Sequence, residues 1–158
     1  MQIQTTRFGK VSVNQEDIVI FPEGLIGFCG KTRFVILDHK QGSPFKWLQS
    51  VEEPELAFIV IQPPVFRPDY APVLLKTDLE SLGLRQVQDE ALVYAIVVVP
   101  EDPAKMYANL LGPLVINKKA RIGKQVILSS DTYSTCHYIV DEMKASYGVS
   151  HARPVAKA

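Results

Sequence analysis

The longest apolar stretch of the chain is Ala91-Leu92-Val93-Tyr94-Ala95-Ile96-Val97-Val98-Val99. It is rich in β-branched residues, which favour strands. It lacks the alternation of apolar and polar residues that marks a strand with one wet face, so it predicts a strand covered on both faces. Such strands are typical of a small closed barrel or a tight sandwich. The stretch is too short for a transmembrane helix, which needs about 20 residues.

Shorter apolar runs lie on both sides of this stretch, and turn residues separate them. Their length and their content of Val, Ile and Phe favour strands. No segment between them is long enough for a crossover helix, so the chain is predicted to be all-β and mainly antiparallel. The further predicted strands are residues 18–21, 34–37, 56–61, 114–116 and 125–128.

Helical signals are short and local. Thr77 is an N-cap candidate with Glu80 three residues later, a capping box, and Gly83 stands where such a helix would end. Asp102 before Pro103 predicts another single turn with Asp102 as its cap. A third possible turn spans residues 141–146. We therefore expect a small β domain with one or two single-turn helices.

Length and composition fit one globular domain. The chain has 158 residues, 47% of them hydrophobic and 22% charged, which is typical of such a domain. We expect the domain to span residues 1–147 and the apolar-poor residues 148–158 to form a flexible tail. The chain starts without a signal peptide and has no membrane-spanning run, so we expect a cytoplasmic protein that does not bind membranes.

The charge balance bears on the class of partner. Lys+Arg and Asp+Glu are equal at 17 each, whereas proteins that bind nucleic acids usually carry a basic excess. Direct nucleic-acid binding is therefore not expected. A barrel that binds single-stranded RNA remains open as an alternative, with Phe66 and Tyr70 as stacking residues and Arg67 as a cation.

One segment resembles a phosphate-binding loop. Gly24-Leu25-Ile26-Gly27-Phe28-Cys29-Gly30-Lys31-Thr32 ends in Gly-Lys-Thr, but the motif requires glycine where Leu25 stands and a helix directly afterwards. The sequence continues instead as a predicted strand. We therefore favour a glycine-bearing turn, and a small nucleotide-handling enzyme built on this loop is the alternative.

Other chemistry-bearing residues lack the spacing that a reactive site needs. The three histidines and the cysteines Cys29 and Cys136 form no Cys-x-x-Cys or His-x-x-x-His pair, so no metal or other cofactor is expected. No Gly-x-Ser-x-Gly motif frames a serine, and the acidic clusters lie near turns. We expect no catalytic residues. A fold of this size also needs no disulfide.

Residues 62–72 contain four prolines and are predicted to form an exposed loop, because proline cannot donate to a sheet ladder. Phe66 and Tyr70 lie in this loop, and Leu110 lies beside a second turn at Gly112-Pro113. Apolar residues exposed in loops commonly mark partner surfaces. Asp69 and Asn109 complete the set of candidate partner-binding residues.

Ordered blocks of sequence resemble the FliW family of flagellar assembly factors. The first is Phe21-Pro22-Glu23-Gly24-Leu25-Ile26-Gly27-Phe28, followed by Ser43-Pro44-Phe45-Lys46-Trp47-Leu48-Gln49-Ser50. The later blocks are Asn109-Leu110-Leu111-Gly112-Pro113-Leu114-Val115-Ile116-Asn117 and Arg121-Ile122-Gly123-Lys124-Gln125-Val126-Ile127-Leu128. The combination, rather than any single block, is specific.

This resemblance implies a small antiparallel β-barrel-like protein without enzymatic activity. It also implies two protein partners, flagellin and the translational regulator CsrA, with flagellin displacing CsrA. Free CsrA then represses flagellin translation, and secretion of flagellin reverses the effect. Most motif residues are expected to be core or turn residues, because glycine and proline fix turns and large apolar side chains pack inside. These residues are Phe21, Pro22, Gly24, Gly27, Trp47, Leu48 and Pro113.

Overall fold

A computed structural model describes residues 1–148, and the predicted tail lies, apart from Gly148, outside this range. The chain forms a nine-stranded sheet and a separate two-stranded hairpin, and every strand pair in them is antiparallel. This confirms the predicted all-β class. The strands are β1 (Gln2–Thr5), β2 (Gly9–Ser12), β3 (Ile18–Ile20), β4 (Arg33–Asp38), β5 (Phe45–Ser50), β6 (Ala57–Ile61), β7 (Ala91–Val98), β8 (Tyr107–Ala108), β9 (Leu114–Asn117), β10 (Gly123–Gln125) and β11 (His137–Tyr138).

The main sheet curves back on itself without forming a continuous barrel. Its strand order is β10-β9-β7-β6-β5-β4-β3, with β8 paired to β7 and β11 paired to β8. Between the two ends of this order, the described residues form a single bridge from Ile20 to Ile122. It is supported by the Ile20 N–H, which donates to the Arg121 carbonyl at 2.9 Å. The fold is therefore barrel-like but not a closed barrel.

Both faces of the sheet are covered, as the lack of alternation in 91–99 predicts. The inner face is the one that carries Phe34, Leu48, Val60, Tyr94 and Ile116, which pack together. Alternate residues of the same strands lie on the outer face. On the outer face, the β1–β2 hairpin covers Val35 and Leu37. The proline-rich loop and residues 133–139 cover Ala95 and Val97. The helix α1 (Lys76–Leu82) and residues 126–128 cover Val93 and Val115.

Some strand boundaries differ from the prediction. Residues 125–128 were expected to form a strand, but β10 ends at Gln125. Val126 and Leu128 instead donate single bonds to the carbonyls of Pro113 and Leu111, at 3.0 and 2.9 Å. Both side chains are buried, so their apolar character reflects packing rather than ladder pairing.

The helical elements are short, as predicted, but one cap differs. The N-cap of α1 is Leu75 rather than Thr77, and no side chain caps it. The helix ends at Gly83, whose φ of 70° is left-handed. Asp102 caps the 3₁₀ turn Pro103–Lys105 by accepting from the Ala104 N–H at 3.0 Å. The remaining elements are the 3₁₀ turns Gln15–Asp17 and Pro63–Val65, the helix α2 (Ile139–Met143) and the π turn Lys144–Gly148.

The segment 24–32 forms turns that lead directly into β4, so no helix follows it as a phosphate-binding loop requires. Gly24 has a φ of 69°, and a Cβ there would lie 2.5 Å from the Cys29 Cα. Only glycine fits such a position. Within residues 1–148, no helix has the length and apolar character to cross a bilayer.

Candidate protein-binding surface

The proline-rich loop folds back across the outer face of the sheet instead of projecting into solvent. Pro63 is buried, and Phe66 is 0% exposed among Ile61, Ala95 and Val97. The expectation that Phe66 is an exposed loop residue is therefore wrong. Prolines exclude a segment from the interior of a ladder, but they leave it free to pack its side chains on a sheet. In this conformation Phe66 cannot contact a partner.

Tyr70 fixes the end of this loop to a second turn. Its hydroxyl donates to the Leu110 carbonyl at 2.7 Å, and its ring meets the Tyr133 ring edge-on with 4.6 Å between centroids. Burial raises the pKa of Tyr70 above its ordinary value, so the hydroxyl remains a donor at neutral pH. Tyr70 is a half-buried anchor, not the free loop tyrosine that its position suggested.

Asn109 and Leu110 form the turn that receives Tyr70. Asn109 Oδ1 accepts from the N–H groups of Leu111 and Gly112, at 3.0 and 2.8 Å, and so shapes the turn before Pro113. Leu110 is 0% exposed, which corrects the expectation that its side chain lies on the surface. Among the five candidate contact residues, Phe66 and Leu110 are internal, Tyr70 and Asn109 are partly covered, and Asp69 is exposed.

A chain of charged groups ties the loop to the end of the described chain. Arg67 Nε donates to Asp69 at 2.7 Å and its Nη1 donates to Glu142 at 3.0 Å, while Glu142 also bonds His137 Nδ1. Burial lowers the pKa of Arg67, but the bonds to Glu142 and Asp69 outweigh it and hold that pKa above its ordinary value. The Arg67 guanidinium also lies 5.4 Å from the Tyr133 ring centre, a cation–π distance. The loop is thus held at several points.

A groove of about 800 Å³ lies beside this anchored loop. It is lined by Tyr70, Val73 and Leu74, by residues 85–89, and by Ala91 and Val93. Val73 is 83% exposed and the adjacent Leu75 is 58% exposed. Exposed apolar residues around a concave surface are typical of a binding site. The signal in the sequence was the run Val73-Leu74-Leu75 directly after Pro72, which sequence reasoning assigned to no site.

The motif residues expected to be structural fall into two groups. Phe21 and Leu48 are fully buried, Pro113 is buried, and Gly24 and Gly27 occupy turns at positive φ. Pro22 is exposed. Trp47 was expected to pack in the core, but it lies on the outer face of β5 and is only half-buried. Its exposure comes from its place in the strand, where it faces away from the inner cluster that contains Leu48.

The two cysteines form no disulfide. Cys29 and Cys136 are free thiols and both are exposed. Across the described residues, no three or more His, Cys, Asp or Glu side chains gather as ligands for one ion.

Comparison with known proteins identifies the family. The family model described as FliW protein matches residues 2–139. The chain belongs to the FliW family. It is 43% identical over 145 residues to the flagellar assembly factor FliW of Alkaliphilus metalliredigens, covering 91% of this chain and 89% of that protein. It is 45% identical over 131 residues to that of Bdellovibrio bacteriovorus, covering 83% and 74%.

A solved structure agrees with this assignment. A crystal structure of the flagellar assembly factor FliW superposes with a TM-score of 0.80 at 37% identity, covering 88% of this chain and 96% of that chain. The family match over residues 2–139 contains the proline-rich loop, the residues that line the groove and Trp47. The relatives carry the name flagellar assembly factor, which is not the name of an enzyme.

Proposed function

We propose that this FliW-family protein acts in the cytoplasm in flagellar assembly and that it binds flagellin and the regulator CsrA. The observation that supports the proposal is the family match over residues 2–139. By binding CsrA, the protein relieves repression of flagellin translation. When flagellin accumulates, it occupies the protein and releases CsrA, which stops further synthesis until flagellin is secreted.

We further propose that the groove beside the proline-rich loop is the partner-binding surface. The exposed apolar side chain of Val73 lies at its rim. Asp69 lies in the proline-rich loop, and Asn109 lies in the turn to which Tyr70 donates its hydrogen bond. A central apolar contact surrounded by polar groups is the usual arrangement of a protein interface. The anchors at Tyr70 and Arg67 support this role because a rigid surface loses little conformational entropy on binding.

Titration calorimetry with purified flagellin and purified CsrA tests both proposals. The wild-type protein should bind each partner, and Val73→Asp should weaken binding by more than about tenfold, the loss expected at an interface hot spot. Ile26→Asp is the matched control, because Ile26 is also an exposed apolar residue, 62% exposed, and it does not line the groove. Absence of binding by the wild-type protein contradicts the function. Equal effects of the two substitutions contradict the assignment to the groove.

A further inference from the structure

His137 holds a neighbouring segment of the chain through both nitrogens of its ring. Its Nε2 accepts from the Ser134 N–H at 2.9 Å, and its Nδ1 bonds to Glu142 Oε2 on α2. A backbone N–H can only donate, so Nε2 carries no proton in this arrangement, and the proton of the ring lies on Nδ1. The hydrogen bonds therefore assign a neutral ring whose two nitrogens are both occupied.

The residue that His137 holds, Ser134, supports the turn that receives Tyr70. The Ser134 carbonyl accepts from the N–H groups of Leu110 and Leu111, at 3.0 and 3.1 Å. The Leu110 carbonyl in turn accepts from the Tyr70 hydroxyl at 2.7 Å. Because Tyr70 lines the groove, three successive hydrogen bonds connect the His137 ring to the groove wall.

The residue next to Ser134 provides a second connection to the same wall. The Tyr133 ring meets the Tyr70 ring edge-on with 4.6 Å between centroids, and the Tyr133 hydroxyl accepts from the Ala71 N–H at 3.1 Å. Tyr70 and Ala71 both line the groove. A shift of segment 133–134 therefore moves the support of two residues of the groove.

The charged and titratable groups that face His137 come from three sides. Glu142 on α2 bonds the ring through Oε2, and its Oε1 accepts from Arg67 of the proline-rich loop at 3.0 Å. The Tyr133 ring lies 6.2 Å from the imidazole between centroids. On β8, the residue opposite His137 is Ala108, which has no charge. Because Nδ1 carries a proton in both states of the ring, the bond to Glu142 can persist when the ring becomes charged.

The contact with Ser134 cannot persist in the same way. Histidine ordinarily takes up its second proton between about pH 5 and 8, and a proton on Nε2 would set two N–H donors against each other. We propose that the bond from Ser134 to His137 is a proton-sensitive latch. It holds segment 133–134 against the groove wall while the ring is neutral, and it opens when Nε2 takes up a proton, which weakens binding in the groove. The effect on binding rests on the proposed function, whereas the latch itself does not.

The latch can be tested without any partner. Long-range ¹H–¹⁵N correlation spectra of the ¹⁵N-labelled protein report the tautomer of His137 and its titration from pH 8 to pH 5.5. We expect the Nδ1–H tautomer at pH 8, and a Ser134 amide resonance that shifts with the same midpoint as the His137 ring. The latch is wrong if the ring carries its proton on Nε2 at pH 8, if it takes up no proton in this range, or if the Ser134 amide does not follow it.

Titration calorimetry with purified flagellin at pH 8 and pH 5.5 measures the effect on the groove. The wild-type protein should bind flagellin more than about fivefold more weakly at pH 5.5, the size expected for one lost hydrogen bond. His137→Gln removes the titrating ring and should reduce this ratio to less than about twofold. His39→Gln is the matched control and should keep the full ratio, because His39 is the other histidine of the described residues and does not line the groove.

The same flagellin is used with all three proteins, so its own titration affects them alike. Equal ratios for the wild-type protein and His137→Gln overturn the effect of the latch on the groove, while the proposed function stands. If flagellin binds at neither pH, the proposed function fails, and the spectra of the ring and of the Ser134 amide still decide the latch. These spectra also decide it if His137→Gln does not fold.

Discussion

At the scale of single residues, Tyr70 connects the proposed binding surface to the stability of the fold. Its hydroxyl bonds the Leu110 carbonyl, and its ring packs with Tyr133 and with the clusters on the outer face. A substitution of Tyr70 therefore weakens the anchoring of the loop, in addition to any effect on a partner contact. Binding studies of Tyr70 variants therefore require a parallel measurement of stability.

We predict that Tyr70→Phe lowers the free energy of unfolding by about 1 kcal/mol, because one hydrogen bond is lost and the Leu110 carbonyl is left without its donor. Tyr70→Ala should cost about 3 kcal/mol, since the ring is removed as well. Chemical denaturation measures both values. Tyr107→Phe is the control, because the hydroxyl of Tyr107 has no hydrogen-bond partner in the described part of the chain. An unchanged stability for Tyr70→Ala would show that the loop is not anchored by this ring.

A second prediction concerns Glu52. Its Oε1 accepts from the backbone N–H groups of Thr32 and Arg33, at 3.0 and 3.2 Å, and these bonds lower the pKa of Glu52 below its ordinary value of 4.5. A carboxyl whose pKa is lowered on folding stabilises the protein above the unfolded pKa and loses that contribution as the pH falls through the folded pKa. Glu52→Gln should therefore destabilise at pH 7, by less than about 1 kcal/mol because the site is exposed.

The same reasoning predicts that the difference between wild type and Glu52→Gln shrinks as the pH falls below the ordinary pKa of glutamate and through the lower pKa of folded Glu52, below which the carboxylate is protonated in both states. Urea denaturation at a series of pH values measures it. Glu55→Gln, also at an exposed position of the nearby turn, should show a smaller difference at pH 7. A Glu52→Gln difference that does not depend on pH would contradict this account.

For three side chains, the burial expected from the sequence differs from the burial in the structure. Phe66 and Leu110 were expected on the surface because proline and glycine lie beside them, yet both side chains are fully buried. Trp47 was expected inside because large apolar side chains usually are, yet it is half-buried. Turn residues indicate backbone conformation, while burial depends on which segment folds over which face. That information is tertiary and is not contained in a local pattern.

At the scale of elements, the predicted glycine-bearing turn and the strand after it are confirmed, because residues 24–32 form turns that lead into β4. The sequence favoured this turn over a phosphate-binding loop because bulky residues such as Leu25 stand in it and a strand-forming run follows Thr32. The central strand was also predicted, since β7 spans residues 91–98 and the predicted strand spans residues 91–99. The two-residue strands β8 and β11 were not predicted, because such short pairings have no periodicity to detect.

Two glycines of this turn provide a matched pair for a prediction. Both have positive φ, 69° for Gly24 and 89° for Gly27, but a Cβ at Gly24 would overlap the Cys29 backbone and a Cβ at Gly27 would meet nothing within 4 Å. Gly27→Ala should cost about 1 kcal/mol, the strain of a left-handed alanine. Gly24→Ala should cost more than about 3 kcal/mol, because the backbone must move.

Thermal and chemical unfolding of the two variants measure this difference, with circular dichroism as a check that both remain folded. Similar losses for the two variants would mean that the backbone at Cys29 gives way easily. In that case the turn is adaptable, and the close approach of Gly24 to Cys29 does not fix its shape.

At the scale of the whole molecule, the sheet is packed on both faces, and the groove lies on its outer side. A smaller cavity lined by Trp47, Ile59 and Val99 shares no lining residue with the groove. Close-packed interiors deform little, so a partner bound at one opening has limited means of altering the other. Strong competition between two partners therefore requires that they overlap directly.

The final prediction follows from the proposal that flagellin and CsrA overlap in the groove. Saturating flagellin should lower the affinity for CsrA, and by linkage CsrA must lower the affinity for flagellin by the same factor. A switch from 1:99 to 99:1 occupancy takes a coupling of about 5.5 kcal/mol, or about 10⁴-fold, which steric overlap supplies more readily than a distant rearrangement of a stiff sheet. Val73→Asp should then weaken the binding of both partners, because we propose that both use the groove.

Titration calorimetry with each partner, alone and with the other saturating, measures the two factors, and a translation reporter carrying the CsrA target measures the consequence. Two isotherms that are independent of each other would exclude the switch. If the coupling is large and equal in both directions but Val73→Asp weakens only one partner, the other partner binds outside the groove. The sheet must then transmit a conformational change between the two sites.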